Sequence, residues 1–374
     1  MKPISKNRWY NLSFIIIFLT SFYYVQAEQN FTFVDPTSMN YTLTSNQTVY
    51  INVSLIEPNL QSFIYNWNGT NFTLYNNTLV LMLNFNNQSS LGENGSIVKD
   101  ASLFGNNGTT NNGSTIIAAG KYTSAITFDG LSGYFRVPHS TSLQFGTGGF
   151  SINFWMKANS APAPGQTGQI FGKRVTSGGN YELQISNEVL TAYLEPSTTQ
   201  LTSTYNVTNH LGEWIFVTLN RNGTHAGIYV NGLINVSATS SQNINSVVPL
   251  ELGRDVDGKS EYFNGSIDNF MIYNRGLTQA EILELYFSNL EKHSSQQWYF
   301  YINQSQNTSG VLANGTYSYQ FFETNSTGSQ SNTTQWFLRI GQLPAIPEFG
   351  MIGIILMLVI ASLSLFQVHK EEKK

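Results

Sequence analysis

The chain has 374 residues, a net charge of −4 and only 11% charged residues, so no basic block exists to hold a nucleic acid. It contains no cysteine, which excludes disulfide staples, thiolate nucleophiles and thiolate metal sites. Aromatic residues make up 14% of the chain, ample material for cores held by packing alone.

In chain order, the first 27 residues read as a signal peptide: Lys2, Lys6 and Arg8, an apolar run around Phe14 to Phe22, then Val25-Gln26-Ala27. The alternative is a retained N-terminal anchor. Residues 28–77 carry strand patterns, with Val49, Ile51, Val53 and Leu55 alternating against Tyr50, Asn52 and Ser54, and Phe63, Tyr65 and Trp67 sharing one face. These strands are too few to close a core. At the far end, residues 295–342 alternate Trp298, Phe300 and Ile302, then Tyr317, Tyr319 and Phe321, then Trp336, Leu338 and Ile340. Asn314-Gly315-Thr316-Tyr317-Ser318-Tyr319 resembles the tyrosine corner of immunoglobulin-like sandwiches, which puts Tyr319 where the second cysteine would stand and leaves Trp67 for the buried tryptophan. The two end segments are expected to be halves of one such sandwich with the middle of the chain inserted between them; two independent β modules are the alternative.

The middle, 78–291, is best read from its end. From Ile267 to Tyr273 nearly every position is apolar or aromatic, the pattern of a strand buried on both faces. Thr278 and Glu281 then form a capping box, and Leu277 and Ile282 a hydrophobic staple, for a short helix. Together with Asp100-Ala101-Ser102 to Gly108, Ala125–Gly130, Tyr134–Pro138, Phe150–Lys157, Trp214–Leu219 and Ile228–Gly232, this order resembles the laminin-G-like, concanavalin A-like jelly roll. The fold class is therefore all-β: a jelly-roll sandwich inserted in or flanked by an immunoglobulin-like sandwich, with an N-terminal signal and a C-terminal transmembrane helix.

Within the jelly roll, Phe150, Ile152, Phe154 and Met156 point between the sheets, which leaves Asn153, Trp155 and Lys157 on the other face. An indole on a polar face suits a sugar-stacking platform, or else it is covered by a loop or by the helix. Gln184 and Tyr193 are further ligand candidates on outward positions. Jelly rolls of this type often hold one structural calcium; the resemblance makes Asp268 the first candidate ligand, joined by Asp100 and the Gly130 carbonyl. The alternative for Asp268 is capping of backbone amides.

No catalytic residue is assigned. The acidic residues Glu251, Asp255, Asp257 and Glu261 break the register that a glycosidase pair on one strand face needs, and no nucleophile elbow or His-Glu-x-x-His occurs. About twenty Asn-x-Ser/Thr sequons, Asn52, Asn68, Asn206, Asn222, Asn264 and Asn314 among them, point to surface glycosylation. Residues 347–374 read as Pro-Glu-Phe-Gly, an uncharged apolar span from Met351 to Val368 and a charged tail. This resembles the PEFG archaeal sorting signal, which implies processing by an archaeosortase; a permanent single-pass anchor is the rival. The expectation is a non-enzymatic protein tethered on the extracellular side of the membrane that recognises glycans or protein ligands. A purely structural envelope protein and a polysaccharide hydrolase are the competing readings.

Overall fold

The computed structural model describes residues 30–342 except 175–179, 196–198, 257–260, 305 and 308–309. The signal segment 1–27, the PEFG motif and the apolar span with its tail lie outside the described residues.

Among those residues the architecture is almost entirely β, with one α-helix, Gln279–Phe287, here called α1. The middle of the chain forms two packed sheets of eight strands each. One carries Phe150–Ala158 at its centre, bounded by Ile215–Asn222 and Asn264–Tyr273. The other runs through Thr167–Gly172, Asn180–Ser186 and Val189–Glu195, with Leu250–Leu252 on its far side. Their facing residues, among them Phe150, Phe154, Phe171, Leu183, Ile185 and Phe270, build one closed apolar core, the jelly roll expected from the sequence. As its composition required, Asn264–Tyr273 is buried along nearly its whole length, paired with Phe150–Ala158 and flanked by Ala125–Asp129 and Leu79–Leu83.

Strands from both chain ends share two smaller sheets. Val49–Ile56 pairs along its length with Gln297–Gln304, and Leu60–Trp67 with Gly315–Asn325. Neither end completes a sheet alone: one sheet sets Phe31–Val34 and Val49–Ile56 beside Gln297–Gln304 and Ser288–Lys292, and in the other Trp336–Ile340 and Gly315–Asn325 lie between Thr42–Thr44 and Leu60–Trp67. Ser288–Lys292, which the sequence assigned to the jelly-roll segment, pairs with Gln297–Gln304 and so belongs to the flanking sheet. The Tyr317 hydroxyl donates to the Ala313 carbonyl at 2.9 Å, the contact expected of a tyrosine corner. The buried tryptophan, however, is Trp298 rather than Trp67. Trp298 is 1% exposed and donates its indole N–H to the Glu57 carbonyl, whereas Trp67 is half-buried and stacks on Tyr317.

The flanking sandwich does not stand apart. Trp155, Phe216, Leu277, Ile282 and Leu285 of the jelly-roll segment join Val53, Tyr65, Trp298 and Phe300 in one continuous apolar cluster. The capping box of α1 forms as expected, with the Thr278 hydroxyl accepting from the Glu281 amide and the Glu281 carboxylate accepting from the Thr278 amide. This pins the helix start, and Leu277 and Ile282 then bury between the two parts of the chain.

Candidate functional site

The alternation of Phe150–Ala158 is as expected, but the face opposite the core is not open. Ser151 and Asn153 are fully buried and Trp155 is 3% exposed, because α1 and the flanking sandwich cover that side of the sheet. Asn153 Oδ1 accepts from the Thr218 and Ser151 hydroxyls, and its Nδ2 is buried without a partner. Lys157 is half-buried, its ammonium 5.0 Å from the Trp214 ring centre. Gln184 and Tyr193 lie on the outer face of the other sheet, so they share no surface with Trp155; Gln184 sits opposite Thr191 and Tyr193 opposite Glu182. The five ligand candidates are thus split across the two sides of the jelly roll.

Trp155 instead forms part of the wall of a cleft of about 550 Å³ between the jelly roll and the flanking sandwich. One wall holds Lys121, Tyr122, Trp155, Tyr286 and Phe287; the other holds Tyr50, Asn52, Tyr301, Ile302 and Asn303. Tyr286, at the end of α1, stacks on the indole with ring centres 5.5 Å apart, Phe216 tilts against it at 5.4 Å, and Tyr122 meets it edge-on at 6.3 Å. The Lys121 ammonium lies 3.9 Å from the ring centre. The opposite wall follows from strand alternation: with Val49, Ile51 and Val53 turned into the flanking core, Tyr50 and Asn52 face outward, paired in register with Asn303 and Tyr301. Tyr50 is 50% exposed, an aromatic face available to a ligand. The sequence pointed to Trp155 but not to Tyr50, Tyr301 and Lys121, which lie 34 to 146 residues from it with no local signal that they meet.

Asp268 holds this cleft together from behind. Its carboxylate accepts the Tyr122 amide at 2.9 Å and the Asn269 amide at 2.7 Å, which anchors the Lys121–Tyr122 turn over Trp155. Complete burial pushes its pKa well above the carboxylate range, against the pull of these amide donors. Desolvation likewise lowers the Lys121 pKa, with the Asp268 charge opposing it. Asp100 is similarly occupied, accepting the amides of Met82, Ser102 and Asn106 and the Ser102 hydroxyl.

Asp268, Asp100 and Gly130 do not assemble as a calcium set. Gly130 packs against Asn264, at one end of Asn264–Tyr273, while Asp100 binds the amide of Met82, which pairs with Met271 near the other. Seven residues of strand separate the two ends, about 20 Å at the usual rise per residue. Among the described residues no group of three His, Asp or Glu side chains is placed to share a metal ion. The oxygens of Asp268 and Asp100 accept hydrogen bonds from the N–H and O–H donors named above.

A second polar cluster lies on the far sheet. Glu182 and Glu251 sit in register on either side of Gly172, about 9.5 Å apart at the backbone by strand spacing. Glu251 is fully buried and held by Arg136 at 2.5 Å and Arg254 at 2.6 Å. Glu182 is 1% exposed, and burial pushes its pKa up to about 7 against the lowering effect of Arg174. The pair was invisible to a search for acidic residues along one strand, because a third strand separates its two members.

The sequons divide by exposure. Asn68, Asn222 and Asn314 are exposed; Asn206 and Asn264 are half-buried, the first with its side chain capping a short turn. Asn52 is 7% exposed and donates its Nδ2 to the Asp35 carbonyl, so the nitrogen that a glycan would occupy is already committed. The structure removes Asn52 from the acceptor list.

Residues 128–283 match the family model described as the Concanavalin A-like lectin/glucanases superfamily, which covers the central part of the jelly roll. No curated protein matches the sequence. Among solved structures, the chain is similar to the binding domain of Paraclostridial Mosquitocidal Protein 1, at 17% identity and a TM-score of 0.48, covering 56% of this chain and 52% of that one. It is also similar to domain 4 of AbnA, an extracellular arabinanase from Geobacillus stearothermophilus, in complex with arabinotriose (18% identity, TM-score 0.42, 56% and 98% covered). A third is the binding domain of botulinum neurotoxin serotype G (14% identity, TM-score 0.45, 71% and 80% covered). The chain thus spans about half the length of the first of these structures.

Proposed function

We propose that this protein is a non-enzymatic binding module displayed outside the cell, which takes a saccharide in the cleft between its jelly roll and its flanking, immunoglobulin-like sandwich. The signal-like segment and the PEFG motif ahead of the apolar span support the surface location. The observation that carries the reading is the cleft itself: Tyr50, Tyr122, Trp155, Tyr286, Phe287 and Tyr301 line it, with Asn52, Lys121 and Asn303 as polar partners. Flat aromatic faces beside a few hydrogen-bonding groups suit the apolar faces and hydroxyl rims of sugar rings.

Hydrolysis has less support. The carboxylates gathered on the far sheet, Glu182, Glu251 and Asp255, are all buried; two arginines close off Glu251, and Arg174 lies between Glu182 and Asp255. A structural envelope role would leave the cleft without an occupant. The test is a saccharide array probed with the full chain and with Tyr50→Ala and Tyr301→Ala. Binding that both substitutions weaken, with unchanged melting temperature, supports the reading; binding that neither affects places the ligand elsewhere. A catalyst would release reducing ends from the polysaccharide, and a binding module would not.

A further inference from the structure

The cleft's electrostatics narrow the ligand. Its lining carries one charged side chain, Lys121, and among the described residues that ammonium enters no ion pair. It lies over the Trp155 ring instead, at 3.9 Å from the centre. The nearby acid, Asp268, acts on Lys121 through its charge but makes no ion pair with it: it is fully buried and its two oxygens accept the amides of Tyr122 and Asn269. Glu291, the next acid in this region, is 6% exposed and hydrogen-bonded by Asn86. A cation on an exposed residue, held in place by its own backbone turn and resting on an aromatic face, is thus left with an unused preference for an anion.

Resting on the cleft as the binding site, we infer that its ligand is an acidic saccharide, a uronic-acid unit whose carboxylate pairs with Lys121. The carboxylate draws the ammonium off the indole to a stronger partner, and a sugar ring takes the vacated place over Trp155. Tyr50 and Tyr301 on the opposite wall are then placed to receive a neighbouring ring. This gives Asp268 a part in recognition: it is a positioning residue that keeps the Lys121–Tyr122 turn at the cleft mouth.

The experiment is titration of the full chain with a panel of uronate oligosaccharides (galacturonate, glucuronate and mannuronate trimers) and with the same trimers after carboxyl reduction to the neutral sugars, following tryptophan fluorescence and heat. At least one uronate is expected to bind about tenfold or more tighter than its reduced form, with the preference weakening as salt is raised. Lys121→Gln should abolish that preference while leaving the melting curve unchanged, since Lys121 is exposed. Equal binding of the charged and reduced trimers, both lost in Tyr50→Ala, would leave the cleft standing and overturn the charge inference. A uronate preference that persists in Lys121→Gln overturns it as well, as does failure of every uronate to bind while a neutral glycan does. Binding indifferent to both Tyr50→Ala and Lys121→Gln would remove the cleft reading along with it.

Discussion

Asp268 offers the sharpest test of how the cleft is held. Its side chain is fully buried and accepts two backbone amides, from Tyr122 and Asn269. Asp268→Ala strands both donors, and an unpaired buried donor costs about 1–3 kcal/mol. Tyr122 is partly exposed, so its amide regains water in the variant and the total should fall at about 2–4 kcal/mol. Asp268→Asn keeps the shape and one acceptor, and it removes the cost of burying an ionised group, so its loss should be the smaller of the two. The pH dependence has a definite sign. Because the folded pKa lies above the ordinary 3.8, the contribution of Asp268 is fully present below that value and is lost as pH rises through the folded pKa. The stability gap between wild type and Asp268→Asn should therefore narrow as pH is raised. Urea unfolding gives the energies, and amide exchange at Tyr122 gives the local effect, which should accelerate in Asp268→Ala. Unchanged exchange at Tyr122 with a loss below about 1 kcal/mol would refute the anchoring role, because the amides would then not depend on the carboxylate.

Three further outcomes are expected. Trp155→Ala should cost about 3–5 kcal/mol, as for a core tryptophan, while Tyr50→Ala on the opposite wall should stay within about 0.5 kcal/mol; equal effects in thermal melts would contradict the burial difference. Glu284 on α1 is buried with one carboxyl oxygen unpartnered, and burial pushes its pKa up to about 8, so its contribution is present below pH 4.5 and is lost as pH rises through about 8. Glu284→Gln should therefore gain stability relative to wild type at pH 9 compared with pH 5, and a constant difference across that range in melting experiments would count against it. Gly253 has a φ of +89°, and a Cβ there would fall 2.4 Å from the Phe128 ring, so Gly253→Ala should lower the melting temperature by several degrees, consistent with about 1–3 kcal/mol of overpacking and backbone strain.

Much of the fold was legible because its signals are local. Alternation placed Val49, Ile51, Val53 and Leu55 inward, and Phe150, Ile152, Phe154 and Met156 inward, and each set is buried. The largely apolar run Ile267–Tyr273, interrupted at Asp268 and Asn269, announced a strand covered on both sides, and Thr278 with Glu281 announced the start of α1 through a hydrogen-bond pair that spans only three residues. Trp67 differs from the expectation because a tryptophan's place on the third strand of a resembled sandwich says where a ring stands along the chain, not whether another sheet closes over it; Trp298 has that cover.

Along the chain alone, then, one can read the apolar face of strongly alternating strands such as Val49–Ile56 and Phe150–Ala158 and the start of the single described helix, since those properties depend on neighbours a few residues away. Only the tertiary structure decided what lies on the other face. It set α1 and Tyr286 over Trp155, brought Tyr50 and Tyr301 across from Lys121, turned Asp268 toward the amides of Tyr122 and Asn269, and aligned Glu182 and Glu251 across Gly172. Alternation records that the two faces of a strand differ. What each face meets depends on segments up to some 250 residues away, whose approach is set by the packing of whole sheets and leaves no periodic mark in the chain.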